Sequence, residues 1–153
     1  MAEMVDWAAF EAGAPRMATE GRRLLYRSGE GSALLATVRD HAPPRIHPIK
    51  VGVIGDGLYA FVLDSAKQRD LERDGRFALH AHQDPLIPHE FMVRGRAQPL
   101  EADAIRARVA AEWFFTVDNA YQLFVFSIES ALLGTRPTVK SWPPTYETWR
   151  PSP

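Results

Sequence analysis

Apolar residues recur along this chain in two periods, and each period predicts a different kind of element. Spacings of three and four residues near the N-terminus, and again where Ile105, Val109 and Trp113 lie four apart, predict amphipathic helices. Short stretches of aliphatic and aromatic residues bounded by Gly and Pro predict strands. In chain order we predict helices over residues 5–12 and 15–26, strands over 33–38, 45–53 and 58–63, a helix over 65–75, strands over 77–82 and 91–100, a helix over 102–114 and a strand over 122–128.

Residues with special backbone or capping properties mark the boundaries between these elements. The Gly-Asp-Gly tripeptide at residues 55–57 predicts a tight hairpin. Ser65 and Gln68 form a Ser-x-x-Gln capping box, and Gly75 is placed to end the same helix. Gly95, inside a predicted strand, indicates a β-bulge.

The order of the elements predicts an α+β fold. Consecutive strands joined by short turns, such as the turn predicted over residues 39–44, favour an antiparallel sheet, and six strands are enough to close a small barrel. The length of 153 residues fits one domain over residues 1–153, with the N-terminal helices inside residues 1–30. Because prolines cluster near the C-terminus, we predict an irregular tail over residues 138–153.

Composition and charge exclude several classes of protein. Hydrophobic residues make up 46% of the chain and charged residues 24%, as in ordinary folded soluble proteins. The net charge of −1 argues against nucleic-acid binding, and no apolar run reaches the ~18 residues of a membrane span. The absence of cysteine excludes disulfides and thiolate chemistry. Residues 1–7 lack the basic and apolar regions of a signal peptide, so we expect a cytoplasmic protein.

The start of the helix over residues 65–75 is the strongest candidate for binding chemistry. A helix N-terminus carries free N–H groups and partial positive charge. Lys67 and Arg69 in the first turn are unfavourable for the helix alone, and an anion docked there would reverse that effect. Ser65, Ala66, Lys67 and Arg69 therefore suit a phosphate cradle. The alternative is a solvated surface helix whose charges are balanced by nearby carboxylates.

A second group of charged residues lies on the strand that begins at Arg45. Strand alternation places Arg45 and His47 on one face and Ile46 and Lys50 on the other. Arg45 and Lys50 could contact one ligand only if the strand bulges or lies at a sheet edge, which Pro48 favours. The alternative is an ordinary edge strand protected by charged residues.

The five histidines do not indicate a metal site. His80 and His82 share one strand face, and the other three are scattered. No carboxylate completes a spacing such as His-Glu-x-x-His, so we predict no metal.

Aromatic residues in the tail are candidates for a contact outside the core. Trp142, Tyr146 and Trp149 lie among prolines. Aromatic side chains in such a segment either cover a neighbouring subunit or cover a planar ligand.

Five stretches of the chain, taken in order, carry a family resemblance. They read GSALLATV at residues 31–38, PRIHP at 44–48, LYAFV at 58–62, SAKQRDL at 65–71 and GRFALH at 75–80. This series resembles the pyridoxamine 5′-phosphate oxidase-like FMN-binding split barrels, over roughly residues 31–100. The resemblance implies a six-stranded antiparallel split β-barrel with flanking helices. It also implies a homodimer with two flavin sites in the clefts between subunits.

The resemblance also assigns binding roles to particular residues. It implies that Arg45 and Lys50 contact the flavin and its phosphate and that Ser65 and Lys67 hold the phosphate, with Ala66 between them. The other residues that it places at the flavin are Ile46, His47, Phe61 and Val62 through their backbone groups, Glu90 on the fifth strand, and Trp142, with Trp149, as a cover from the partner subunit.

Three departures from the oxidases themselves change the expected activity. A basic residue of the family is replaced by Ala66, and a glutamine that touches the flavin is replaced by Glu90. A carboxylate near a flavin disfavours the anionic reduced ring unless it forms a salt bridge. The C-terminal third also lacks the Arg-x-His that grips pyridoxal phosphate. We therefore expect an FMN-dependent oxidoreductase for another small-molecule substrate, with His47 as the best candidate for an acid–base group, rather than vitamin B6 synthesis.

Other split barrels bind other cofactors, and these alternatives stay open. The deazaflavin F420 needs basic residues for its acidic tail, and haem needs an axial histidine. The candidates for F420 are Arg22, Arg23, Arg94 and Arg96, and those for haem are His80, His82 and His89. A further alternative is a non-enzymatic ligand-binding or sensor protein with a degenerate pocket, which the changes at Ala66 and Glu90 suggest.

Overall fold

One antiparallel sheet contains every strand in the computed structural model, which describes residues 3–153. Met1 and Ala2, on which the signal-peptide expectation partly depends, lie outside the described residues. The elements are α1 (Trp7–Gly13), α2 (Pro15–Leu25), β1 (Ser32–Arg39), β2 (Ala42–Lys50), β3 (Gly52–Ile54), β4 (Gly57–Val62), α3 (Ala66–Arg73), β5 (Arg76–Ala81), β6 (Glu90–Leu100), α4 (Asp103–Ala111), β7 (Gln122–Thr135) and β8 (Thr145–Trp149).

The sheet closes on itself at Val51. Its strand order is β2-β1-β5-β6-β7-β4-β3, with β8 added to β7. The first and last strands of this order, β2 and β3, are consecutive in the chain and separated by Val51 alone. Val51 is fully buried, and its N–H donates to the Gly31 carbonyl at 3.1 Å. A Cβ at Gly31 would lie 2.0 Å from the Val51 oxygen, so this closure requires glycine.

The fold class predicted from the sequence is confirmed as α+β and antiparallel, but the prediction of six strands is wrong. The structure has eight strands in the described residues. The strand predicted over residues 45–53 is broken at Val51, because the chain turns there from one end of the sheet order to the other. The eighth strand, Thr145–Trp149, lies in the tail that was predicted to be irregular, and it pairs with Ala131–Thr135 of β7.

Several predicted boundaries also differ from the structure. The turn predicted over residues 39–44 is only two residues long, with Asp40 at a φ of 39°, so β2 begins at Ala42. The helix predicted over 102–114 ends at Ala111, and the strand predicted to end at Ile128 continues to Thr135. The two longer strands form because their ends pair with neighbouring strands, which the periodicity of one segment does not reveal, whereas the residues after Ala111 form turns and irregular structure.

The predicted special glycines are confirmed. The β6–β7 register shifts between Arg94 and Gly95, so a bulge lies at the predicted position, but its extra residue is Glu129 of β7, opposite Gly95. A Cβ at Gly95 would lie 1.8 Å from the carbonyl oxygen of Ser127, so no larger residue fits without moving the backbone. Gly75 has a φ of 81°, in the left-handed region that ends many helices.

Two hydrophobic clusters hold the sheet and helices together. The larger cluster fills the barrel and continues beneath α1 and α2, where Phe10 and Gly21 both lie against Phe91. The smaller cluster lies beneath α4, where Trp113 packs edge-on against Phe61 at 5.1 Å. Full burial of one such side chain contributes roughly 1.5–3 kcal/mol. The helix α3 packs against β1 and β6 and so places its first turn at one end of the sheet.

Candidate functional site

The first turn of α3 is capped by Ser65. The Ser65 hydroxyl accepts a hydrogen bond from the Gln68 N–H at 3.3 Å and donates to the Leu63 carbonyl at 2.9 Å. The Gln68 side chain donates to the Val62 carbonyl at 2.9 Å, so it ties the helix back to β4. The serine half of the predicted capping box is therefore confirmed, and the glutamine half serves a different contact.

The same turn leaves two donors and one cation without partners. The backbone N–H groups of Ala66 and Lys67 have no acceptor within residues 3–153, as expected for the first two positions of a helix. The half-buried Lys67 side chain has no carboxylate partner among those residues either. Arg69 differs from it, because its guanidinium pairs with Asp64 at 2.9 Å. The turn thus presents free positive charge and free N–H groups at one point.

The β2 strand alternates as its sequence predicts. Arg45 and His47 are partly buried on its inner side, whereas Ile46 and Lys50 are exposed on the outer side. Pairing with β1 is regular from Arg45 to Lys50, so no bulge brings these two residues to one face. The Lys50 ammonium instead pairs with Glu30 at 2.7 Å. Within one chain, therefore, Arg45 lies toward α3 and Lys50 does not.

A buried carboxylate on α3 organises the inner side of the site. Asp70 is 3% exposed, and its Oδ2 accepts from the Thr37 hydroxyl at 2.7 Å and from the Arg45 Nε at 3.0 Å. The Nε of Arg39 lies 3.9 Å from Oδ1 of the same carboxylate. A buried carboxylate is costly unless it is paired and hydrogen-bonded, and these contacts meet that requirement. This ion pair fixes the position of Arg45 relative to α3.

Thr37 and Asp70 were not predicted to be site residues from the sequence. A signal for Thr37 was present, because it is the first polar residue in the inward series that begins with Ala33 and Leu35. Asp70 precedes the buried Leu71 and could not be distinguished in the sequence from the exposed charges of α3. Its burial depends on β1, which lies about thirty residues earlier in the chain.

His47 contacts Thr37, and its ring is close enough to Lys67 to be affected by the charge of that residue. Its Nε2 is 3.4 Å from the Thr37 hydroxyl oxygen. Burial of the ring lowers the pKa of His47 below its usual value of 6.5, and the nearby charge of Lys67 lowers this pKa further. Asp70 acts in the opposite direction and raises the pKa, but it does not outweigh the other two effects. His47 is therefore neutral at neutral pH.

Of the two predicted residues on β4, Val62 borders the first turn of α3 and Phe61 lies in the smaller hydrophobic cluster. Val62 is buried, and its carbonyl accepts the Gln68 hydrogen bond, so its backbone borders the first turn of α3. The Phe61 ring lies in the smaller cluster, with the Arg106 guanidinium 5.1 Å above it. The Phe61 side chain is therefore part of the core, and its backbone pairs with Leu123 of β7.

Glu90 and Trp142 do not join these residues within one chain. Gly95 is level with Thr37 across the sheet, and Glu90 lies five residues earlier on β6, roughly 17 Å away along the strand. Glu90 accepts a hydrogen bond from the Tyr146 hydroxyl at 2.8 Å, which raises the pKa of Tyr146. Trp142 is 74% exposed and carries the Arg136 guanidinium 5.1 Å over its ring.

The residues considered for other cofactors are mostly engaged within the chain. The arginines proposed for F420 contact, in order, the Tyr26 ring, Glu20, the Ser130 hydroxyl and the Asp74 carbonyl. Of the histidines proposed for haem, His89 has both ring nitrogens within 3.3 Å of acceptors. The Nδ1 of His80 is 2.7 Å from the Ala81 carbonyl. In residues 3–153 no three His, Asp or Glu side chains are grouped to hold a metal ion. None of the helices in that part of the chain has the length and apolar character needed to cross a membrane.

Comparison with solved structures identifies the architecture. A heme binding protein from Mycobacterium smegmatis superposes with a TM-score of 0.63 at 19% identity, over 88% of this chain and 58% of that chain. A Listeria innocua protein assigned as a pyridoxamine 5′-phosphate oxidase gives 0.59 at 16% identity, over 74% of this chain and 94% of that chain. The chain has the split-barrel fold. The fold resemblance stated from the sequence is confirmed.

Other split barrels give similar agreement. A FAD-binding protein from Mesorhizobium loti superposes with a TM-score of 0.55 at 17% identity, over 74% of this chain and 91% of that chain. The present split barrel spans about three fifths of the length of the Mycobacterium smegmatis protein. The chain matches no protein-family model and no curated protein sequence.

Proposed function

We propose that this split barrel binds FMN with its phosphate at the first turn of α3 and acts as a flavin-dependent oxidoreductase on a small-molecule substrate. The observation that carries the proposal is the state of Lys67. It is a half-buried cation in the first turn of a helix, with no carboxylate partner in residues 3–153 and with two unused N–H groups beside it. A dianionic phosphate supplies the acceptors that this turn lacks.

The neighbouring residues have assigned parts in this proposal. The Lys67 ammonium and the N–H groups of Ala66 and Lys67 hold the phosphate, and the Ser65 cap fixes the turn that presents them. Arg45, held by Asp70, adds charge on the side of β2. The backbones of Ile46, His47, Phe61 and Val62 line the ribityl chain and the ring system.

A second copy of the chain completes the proposed site. The outer face of the sheet near β2 exposes Ile46 at 71% and Leu34 at 38%, next to exposed Pro48. Apolar residues grouped on a sheet face favour contact with another protein surface. A homodimer formed through this face places the flavin in a cleft between subunits. Lys50, which lies on this outer face, then borders the cleft, with the partner's Glu90 and the partner's Trp142 covering the flavin.

The chemistry follows from the group that is bound. FMN accepts and donates electrons, and the protein binds it, orients it and excludes water. The neutral His47 is the side chain best placed to accept a proton near the cofactor, because its low pKa leaves a free lone pair at neutral pH. The neighbours described as heme binding and FAD-binding support a planar redox cofactor in this fold but do not identify a substrate.

The proposal is tested by mixing the purified protein with FMN and separating bound from free flavin by gel filtration. We expect a flavin absorption spectrum, shifted from that of free FMN, in the protein peak. FMN that elutes entirely with the small molecules would contradict the proposal. The same experiment with F420 distinguishes the deazaflavin alternative.

Haem is the second candidate, and one contact favours it. Donation from the His80 Nδ1–H to the Ala81 carbonyl at 2.7 Å leaves Nε2 free as a ligand, which is the arrangement seen in many metal-binding histidines. A Soret band that is retained through gel filtration, and is lost in His80→Ala, would favour haem over FMN. Retention of none of the three cofactors would favour a binding or sensor protein.

A further inference from the structure

Thr37 connects a carboxylate to a histidine inside the proposed site. It is fully buried on β1, level with Arg45 of β2. Its hydroxyl oxygen lies 2.7 Å from Asp70 Oδ2 and 3.4 Å from His47 Nε2. These are three polar side chains from three different elements, and the mechanism proposed above uses only His47 directly.

The hydroxyl has one hydrogen, and the distances decide where it goes. A carboxylate can only accept, and a hydrogen bond to a charged group is stronger than one to a neutral ring. The Thr37 hydroxyl therefore donates to Asp70 at 2.7 Å. If it donated to His47 instead, two oxygens would face each other at 2.7 Å in a buried site without a hydrogen between them.

The contact between Thr37 and His47 then determines which ring nitrogen of His47 carries the proton. With its hydrogen given to Asp70, Thr37 can only accept from His47, so Nε2 must carry a proton. In the neutral ring Nδ1 is then an acceptor. Nδ1 has no hydrogen-bond partner within residues 3–153 and is not enclosed by the protein.

We propose that Asp70 and Thr37 are positioning residues, which keep the ring proton of His47 on Nε2 so that Nδ1 presents a hydrogen-bond acceptor to a ligand in the proposed site. The Arg45 side chain, held by the same Asp70 oxygen, is fixed next to it. The site then combines donors for a phosphate at the start of α3 with one acceptor for an O–H or N–H group on the β2 strand. The use of this acceptor by a ligand rests on the proposed function, and the position of the proton does not.

NMR of histidine-labelled protein at about pH 8 tests this proposal, since long-range ¹⁵N–¹H spectra report which ring nitrogen carries the proton. The His47 signals are assigned by their loss in His47→Gln. In the wild type we expect a protonated Nε2, an unprotonated Nδ1 and a directly visible Nε2 proton protected from exchange with water. A wild-type His47 protonated on Nδ1 would overturn the proposal without any variant.

Variants at Thr37 separate positioning from simple packing. Thr37→Val keeps the shape and removes the hydroxyl, so we expect the protected Nε2 proton signal to be lost and the two tautomers to mix. Thr37→Ser keeps the hydroxyl, so the wild-type spectrum should return. An unchanged His47 spectrum in Thr37→Val would overturn the proposal. His80, whose Nδ1 contacts a backbone carbonyl, serves as an internal control in each spectrum.

Addition of FMN to the labelled protein tests the positioning role and the proposed function independently. If FMN binds and His47 accepts from it, the Nδ1 signal shifts while Nε2 stays protonated. If the apo spectrum is as expected and FMN does not bind, the positioning role stands and the FMN assignment fails. If FMN binds to a protein whose His47 carries its proton on Nδ1, the positioning role fails alone.

Discussion

At the scale of single residues, the function proposed here depends most on the charge of Lys67. Replacement by Ala removes a charge-assisted contact with phosphate, which contributes about 1.5–3 kcal/mol. We therefore expect Lys67→Ala to raise the Kd for FMN roughly 10- to 150-fold. Titration of FMN fluorescence measures this change. Arg27→Ala removes an exposed positive charge outside the site and is the control. Equal Kd values in Lys67→Ala and wild type would show that phosphate does not bind at this turn.

The lowered pKa of His47 predicts a pH-dependent contribution to stability. As pH falls, the unfolded chain takes up a proton on this residue near pH 6.5, before the folded protein does. This proton uptake stabilises the unfolded state. The free energy of unfolding therefore decreases as the pH falls from the unfolded pKa of His47 to its lower folded pKa. His47→Gln removes this loss.

Urea unfolding at several pH values measures the effect. The free energy of unfolding of His47→Gln, measured relative to that of the wild type, should rise as the pH is lowered from about 7.5 to about 5. A difference that is constant with pH would contradict the lowered pKa. His41→Gln, at an exposed turn residue, is the matched control.

The sequence was sufficient to predict site residues whose role depends on local structure. It was not sufficient for residues whose role depends on contacts with distant parts of the chain. Ser65 and Lys67 could be found because helix capping and the charge of a first turn are local properties. The alternation of Arg45 and Lys50 also follows from the strand alone. Asp70 acquires its role from Thr37 and Arg45, and the periodicity of its own helix contains no information about them.

At the scale of elements, α3 is held by its packing against β1 and β6 and, at its first turn, by the Ser65 cap. Ser65→Ala removes the acceptor for the Gln68 N–H, and loss of such a cap costs about 0.5–2 kcal/mol. We expect the free energy of unfolding to fall by that amount, as measured by chemical denaturation. Ser152→Ala, in the exposed C-terminal end, should have no effect. A wild-type stability for Ser65→Ala would mean that the cap does not stabilise α3.

The number of strands predicted from the sequence is too low because two features of the closed sheet depend on distant pairing. Residues 45–53 have one continuous strand pattern, and the division at Val51 exists because the sheet closes there. β8 lies among prolines, yet it forms because β7 continues past Ile128 and leaves an edge to pair with. Trp149 then packs against Phe10 at 5.1 Å. Both features require partners that are distant in sequence.

At the scale of the whole molecule, the proposed site requires two copies of the chain. We expect a dimer at micromolar concentration in sedimentation velocity. Ile46→Asp places a charge in the apolar outer face and should produce monomers that bind FMN more weakly. Leu86→Asp is the control, because Leu86 is 78% exposed in a loop and lies outside that face. A wild-type monomer that binds FMN fully would contradict a cleft shared between subunits.

The most direct test of the whole account compares FMN with riboflavin, which differs from FMN only in lacking the phosphate. We predict that wild-type protein binds FMN much more tightly than riboflavin, and that Lys67→Ala removes most of this preference. Equilibrium titration of both flavins against both proteins gives the four Kd values. Equal affinity of the wild type for FMN and riboflavin would show that the first turn of α3 does not bind phosphate, which would contradict the proposed function.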